Sequence, residues 1–494
     1  MLKKNRMFSY RYAHICALIL VFSFYLVTMC GCTVGPNYKP PQAQVPASWF
    51  GPAPSAEPNA ATEQDLTHWW TIFEDETLTS LVERAVQSNL DLKQAEFRIR
   101  QGRAARGIVA GGLWPSADVT GSAGRSRPST GTVRNLYQAG FDSIWELDIF
   151  GGVKRNVEAT DADIQVAVEN RRDVLVTLTA EVALDYIDLR GLQQQIVIAK
   201  NNLQAQRHSA ELTRQRFQGG FVSALDVANA DAQVATTASQ IPVLEAAVQQ
   251  TIYSLSILLG REPAALLEEL GPTSTIPAAV PKVPVGVPSD LLRRRPDIRS
   301  AEAQIHGATA RIGVAVADLF PKIFLSGSAG YQSSRSSSLT DWNNRFWSLG
   351  PSLDWPVFAG GSIRANIELQ KALKEQSVIA YQQTVLMALQ DVENALIASA
   401  KEQEHRASLI EAVAANRKAV QLATQLYTQG QTDFLNVLQA QNALYASEDA
   451  LVQSTRAVST NLVALYKALG GGWDSESSND IQDDGEFNSP AKLH

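Results

Sequence analysis

Cysteine is almost absent from this chain of 494 residues: Cys16, Cys30 and Cys32 are the only three, and all stand near its start. Beyond that leading segment no disulfide framework and no cysteine-ligated metal site can be assembled. Histidine is scarce as well. His14, His68, His208, His306, His405 and His494 are scattered without HExxH or any other ligand spacing, and there is no GxSxG, GxGxxG or P-loop. Glu181 and Asp185 lie one turn apart on a helix-forming stretch, but no nucleophile accompanies them, so a solvated or pore-lining face fits better than an acid/base pair. The composition therefore argues against an enzyme, and neither a metal nor a cofactor is expected. A net charge of -7 with no basic block argues against a nucleic-acid partner. Helix breakers are missing too: Gly191 alone interrupts Val153 to Gln218, and Ser362 to Gln429 has neither glycine nor proline.

What is present is written twice. Asp91 to Gly124 (DLKQAEFRIRQGRAARGIVAGGLWPSADVTGSAG) and Asp297 to Gly330 (DIRSAEAQIHGATARIGVAVADLFPKIFLSGSAG) align without a gap, about 206 residues apart. Further on, Arg216 to Ala230 matches Leu426 to Ala440, pairing Gly220 with Gly430, Leu225 with Leu435 and Asp226 with Asn436 at a spacing about four residues wider. Two copies this long imply pseudo-symmetry, since stacked solenoid repeats have periods of about 20–50 residues.

The start of the chain carries Lys3, Lys4, Arg6 and Arg11, then an apolar run from Ala13 to Val27, then Thr28-Met29-Cys30-Gly31-Cys32. This pattern is expected of a signal peptide rather than a membrane span. Its end resembles a bacterial lipobox, with Cys32 after the small Gly31 as the acylated residue; Cys30 follows the bulky Met29 and fits less well. Thr33 in the next position is not Asp, and the resemblance to bacterial lipoproteins then implies sorting to the outer membrane. From Gly470 the sequence is polar, acidic and glycine-led, with too little apolar surface to order itself.

Each breaker-free stretch is rich in Ala, Leu, Gln, Glu and Val and reads as one helix. At 1.5 Å rise, about 65 residues make a rod of roughly 100 Å. Each rod ends at a glycine turn, Gly219 to Ser223 or Gly430 to Asp433, and a second helix returns over about 224–259 or 434–469. Ser223 and Asp433 occupy N-cap positions, and Pro242 is expected to kink the first return helix. Ahead of each rod come two strand-like runs, 117–124 with 137–150, and 323–331 with 346–358. The second of each pair alternates apolar (Phe141, Trp145, Leu147; Trp347, Leu349, Leu353) with polar residues. A soluble sandwich shows the same alternation. If the strands enter a membrane, however, four are too few to close a barrel, for which about eight is the minimum, and the protein must oligomerise.

Taken in order, GCTVGPNYKPP (Gly31 to Pro41), WELDIFGG (Trp145 to Gly152), RRRPDIRSAEAQI (Arg293 to Ile305), LFPKIFLSGSAG (Leu319 to Gly330), WPVFAGG (Trp355 to Gly361) and ALGGGW (Ala468 to Trp473) give a chain that resembles the outer-membrane efflux proteins, the TolC-like outer membrane factors, in their lipoprotein branch (NodT type). The resemblance covers nearly the whole chain after the leader. It implies a mixed α/β membrane protein of TolC-like fold: a homotrimer in which three chains each give four strands to a twelve-stranded outer-membrane β-barrel, continued by a periplasmic α-helical tunnel. It implies an exit duct in a tripartite efflux system for small molecules such as drugs, set in outer-membrane lipid, its helical tips meeting a periplasmic adaptor (membrane fusion protein) tied to an inner-membrane transporter. Carried over, the adaptor contacts are Gly220, Phe221, Val222 and Ser223 on one tip and Gly430, Gln431, Thr432 and Asp433 on the other. The periplasmic gate falls at Asp226, Tyr427, Asn436 and Gln439. Where relatives of this type present carboxylate rings, Asn436 and Gln439 are amides, which implies a gate held by hydrogen bonds and apolar packing, with weak cation block.

The expected partition is a lipoprotein signal peptide (1–31), a lipid anchor and N-terminal periplasmic segment (32–77), a first repeat (78–262), a Pro-rich linker (263–290), a second repeat (291–470) and an acidic tail (471–494). The alternative is a periplasmic coiled-coil scaffold or adaptor lipoprotein without a channel. It shares the helical hairpins but does not account for two of them flanked by duplicated aromatic strands.

Overall fold

A computed structural model describes residues 33–51, 66–127, 129, 131–278 and 286–474. The signal peptide, the proposed lipid site Cys32 and the tail from residue 475 lie outside the described residues. Chain contacts divide the molecule into two units, each built from pieces of both repeats: Met1–Gln42, Phe97–Val168 and Ser300–Gln382 form one, and Ala43–Glu96, Glu169–Arg299 and Gln383–His494 the other.

In chain order the elements are α1 (Glu76–Ser88), α2 (Leu90–Gly111), β1 (Ser116–Ser126), β2 (Arg134–Leu147), α3 (Gly152–Gln218), α4 (Ala224–Leu258), α5 (Leu267–Leu270), α6 (Pro288–Arg294), α7 (Pro296–Ala317), β3 (Lys322–Ser333), β4 (Arg345–Asp354), α8 (Ser362–Thr428) and α9 (Phe434–Ala468). The rods α3 and α8 have 67 residues each and the return helices α4 and α9 have 35 each. The duplication is thus repeated in element lengths. Pro242 sits inside α4 and does not end it, because a proline removes a single backbone donor from a long helix. Among the described residues no helix is long and apolar enough to cross a membrane.

The first unit carries one four-stranded antiparallel sheet in the order β1-β2-β3-β4, so β2 of one repeat pairs with β3 of the other. The register sorts its faces. Val119, Phe141, Ala329 and Trp347 lie in one cross-strand row, and Leu147, Ile323 and Leu353 in another on the same face. The opposite face carries the row Asp118, Asp142, Ser328 and Ser348, with Thr120 Oγ1 donating to Asp142 at 2.6 Å and the two serine hydroxyls 2.9 Å apart. All eleven residues of β1 are exposed, and among the described residues β1 and β4 each have one edge unpaired. At the centre Gly140 faces Gly330, where a Cβ on Gly330 would come within 2.4 Å of the Ala139 carbonyl oxygen; only glycine lets these strands approach so closely.

The strands end sooner than the alternation implies. Asp148 leaves the ladder to accept from the backbone N–H groups of Val153 (3.0 Å) and Lys154 (2.8 Å), satisfying the start of α3, and Pro356 has no N–H to continue β4. The same anchor is built twice: Trp145 Nε1 donates to Leu113 O at 3.0 Å, and Trp355 Nε1 to Leu319 O at 3.1 Å.

The segment after residue 32 is strapped across the same unit. Val34 N–H donates to Phe150 O (3.1 Å), Arg155 donates to Val34 O (3.1 Å) and Asn37 Oδ1 (2.7 Å), and the Tyr38 hydroxyl donates to Glu302 (2.9 Å) while its ring stacks on His306. Burial raises the Glu158 carboxyl, but hydrogen bonds from Arg155 and His306 outweigh it and hold it below the usual carboxylate range.

The second unit holds the larger core. Trp69 is buried and stacked on Tyr466, with Leu78, Leu81, Tyr186, Ile187, Ile252, Leu255, Leu266 and Leu270 equally enclosed. Its buried Glu169 is paired: it meets Arg172 at 2.7 Å and Arg299 at 2.8 Å, and both guanidinium groups lie over the ring of Trp473.

Candidate functional site

Both hairpins of the second unit close on the same glycine turn. In the first, Gly220 has φ +76° and its N–H donates to Phe217 O (2.9 Å), while Phe221 N–H donates to Arg216 O (2.9 Å). In the second, Gly430 has φ +76°, with Gly430 N–H to Tyr427 O (3.0 Å) and Gln431 N–H to Leu426 O (2.9 Å). This paired pattern is the Schellman ending, and the positive φ makes glycine the residue of choice at both sites.

The return helices start differently. Ser223 and Asp226 form a reciprocal capping box, Ser223 Oγ accepting from Asp226 N–H at 3.2 Å and Asp226 Oδ2 accepting from Ser223 N–H at 2.9 Å. Asp433 has the extended backbone of an N-cap, but its side chain makes no capping bond. Asn436, the counterpart of Asp226, instead donates from Nδ2 to Thr432 Oγ1 at 2.7 Å.

An open cleft of about 560 Å³ lies between the tips. It brings together Gly220, Phe221, Val222, Ser223, Asp226, Tyr427, Gly430, Thr432 and Asp433, and it leaves out Gln431, Asn436 and Gln439, which are exposed elsewhere on the tip. Tyr427 is buried in its floor, packed with Ala210, Ala230, Phe434 and Val437. Its hydroxyl donates to Thr213 Oγ1 at 3.3 Å.

Arg216, Phe434 and Leu435 also line this cleft and were not singled out by sequence reasoning. The Arg216 guanidinium lies 4.7 Å above the Tyr427 ring and donates to the carbonyl oxygens of Tyr427 and Thr428, the latter at 3.3 Å. One arginine of the first hairpin therefore caps the end of the second rod. The signal for it was a break in the duplication, since the second copy has Leu426 where the first has Arg216. In this cleft Phe221 and Leu435 present apolar side chains to solvent, Phe221 at 76% exposure, and Leu225 at the start of α4 is exposed as well.

Among the described residues no group of three or more His, Cys, Asp or Glu side chains could hold a metal ion. A cleft lined by Arg216, Asp226 and Asp433 and flanked by exposed apolar side chains is suited to protein contact.

The model of the outer membrane efflux protein family matches residues 81–261 and 287–471. Nodulation protein T of Rhizobium leguminosarum bv. trifolii is 33% identical over 458 residues, covering 91% of this chain and 96% of that protein. The toluene efflux pump outer membrane protein TtgC of Pseudomonas putida is 32% identical over 452 residues, covering 90% of this chain and 93% of its own. Among solved structures the outer-membrane channel OprN is similar with a TM-score of 0.83 at 37% identity, over 90% of this chain and 100% of that one.

Proposed function

The chain belongs to the outer membrane efflux protein family, and we propose that three copies of it form the exit duct of a tripartite efflux system for small molecules such as drugs. It is an outer-membrane protein of TolC-like fold and a component of an efflux channel. In the proposed trimer the unpaired edges of β1 and β4 meet those of neighbouring copies, so that twelve strands close a barrel with no free edge in lipid. The apolar row through Phe141 and Trp347 then faces lipid, and the row through Asp118 and Asp142 faces water. Cys32, next to the strap, carries the lipid. The duct has no chemistry of its own.

The observation that carries the docking reading is the cleft between two tips that close on the same glycine turn, lined by the exposed Phe221 and Leu435. An adaptor protein seats there, against Gly220 to Ser223 and Gly430 to Asp433, and links the duct to an inner-membrane transporter. Exposed apolar side chains around a fixed turn give such a contact its anchors. The gate residues Asp226, Tyr427, Asn436 and Gln439 act with Arg216: the arginine holds the two tips together, and Asn436 and Gln439 supply amides in place of a carboxylate ring. Weak block by divalent cations is expected in single-channel recordings, and strong block from the periplasmic side contradicts this gate.

Crosslinking tests the docking reading. Cysteines introduced at Ser223 and Thr432 are expected to capture a membrane-fusion adaptor in intact cells, identified by mass spectrometry. A correctly assembled trimer whose tip cysteines capture no periplasmic adaptor, while the wild type still exports, contradicts it.

A further inference from the structure

Along α3, the residues Asn202, Gln206, Ser209 and Thr213 follow one another at alternating steps of four and three, the spacing of core positions in packed helices. Such positions normally hold leucine or isoleucine. Here they hold four uncharged polar side chains, of which Gln206, Ser209 and Thr213 are at least nine-tenths buried.

The lower two are completed by the other hairpin. Ser209 Oγ accepts from Gln441 Nε2 at 2.8 Å, and Thr213 Oγ1 accepts from the Tyr427 hydroxyl at 3.3 Å and donates to Ser209 O at 2.9 Å. The upper two are not. Both amide atoms of Gln206 and Nδ2 of Asn202 are sealed from solvent and meet no hydrogen-bonding protein group. Along α3, Asn202 stands beside Leu203 of one apolar cluster (Ala199, Leu203, Ile241), and Gln206 lies between Leu203 and Ala210 of a second (Ala210, Ala230, Tyr427, Phe434, Val437). Because the atoms are already enclosed within a single chain, a second copy packed outside cannot supply their partners.

A buried amide without partners is costly, and buried polar groups in native proteins are almost always satisfied. A small ligand with both donor and acceptor capacity resolves both Gln206 atoms and the Asn202 donor together. None of the four positions carries a charge, which argues for a neutral ligand over an ion. We propose that Asn202 and Gln206 hold ordered internal water, forming a hydration site inside the helical bundle that continues the polar seam of Ser209, Thr213 and Gln441. A bound water makes about three hydrogen bonds to such groups. The site makes adhesion between the hairpins polar and exchangeable, independently of what docks at the tips.

A high-resolution cryo-EM map of the intact trimer in lipid nanodiscs tests this. Density for water is expected at hydrogen-bonding distance from Oε1 and Nε2 of Gln206; an amide bonded directly to protein, or a dry contact, overturns the proposal. Thermal unfolding of the Gln206→Met trimer is the second readout. If water satisfies the amide, the midpoint stays level or falls; a clear rise means that a dry, unpartnered amide was removed, and the proposal fails.

Discussion

The second unit contains two kinds of interior. Around Trp69, Tyr186, Leu255 and Tyr466 it buries large apolar side chains, and each such side chain contributes about 1.5–3 kcal/mol on burial. Toward the tips the enclosed residues are alanines, a few aliphatics and two aromatics, interleaved with Gln206, Ser209, Thr213, Thr237 and Gln441. A hydrogen bond there adds a net of only about 0.5–1.5 kcal/mol, since water competes for both partners. Equal helices, drawn from the same duplicated sequence, are thus fastened firmly in one stretch and weakly in the other. In the proposed duct such a division lets the weaker stretch near the tips rearrange while the stronger core keeps each chain folded.

The division can be broken from either side. Trp69→Ala removes the side chain stacked on Tyr466 and leaves a cavity, with an expected loss of about 3–5 kcal/mol, measured as failure of the trimer to accumulate or a large drop in its unfolding midpoint. Arg216→Ala cuts the clamp over Tyr427 and should leave the midpoint nearly unchanged. On the proposed gate this loss of about 1–2 kcal/mol falls on the closed state, so open probability in planar bilayers should rise about tenfold. Ser209→Ala deletes the acceptor for Gln441 and costs about 1 kcal/mol, seen as faster amide exchange near the tips with the Trp69 region unaffected.

The smallest effect lies in the other unit and serves as a control. Glu158 is held below the usual carboxylate range in the folded chain, so its contribution is present above an ordinary carboxyl value of about 4.3 and is lost as pH falls through the folded value. Acid should loosen the strap at residues 33–38 to proteolysis. Glu158→Gln should flatten that acid dependence without altering either interior of the second unit.

The rods, return helices and turns were legible in the sequence because long stretches lack glycine and proline and each rod ends at a glycine. Strand faces were legible from alternation. Strand ends were not: Asp148 changed from a ladder residue to a helix cap, which depends on where α3 begins. The pairing of β2 with β3 joins residues nearly two hundred apart and leaves no local trace. At the site, the turn residues were found by matching the two copies, and Arg216 was missed because it has no match. Asp433 stands at an N-cap position without capping, which composition at a single position could not reveal. Cap chemistry also needs the residue three places on, and Asn436 is turned toward Thr432.

Hydrogen–deuterium exchange along α3 in the assembled trimer tests the central contrast most directly. The account predicts that amides around 203–213 exchange well before those around 178–189, and that Arg216→Ala widens the gap. Equal protection along the rod, or faster exchange beside Tyr186 than beside Gln206, would contradict it.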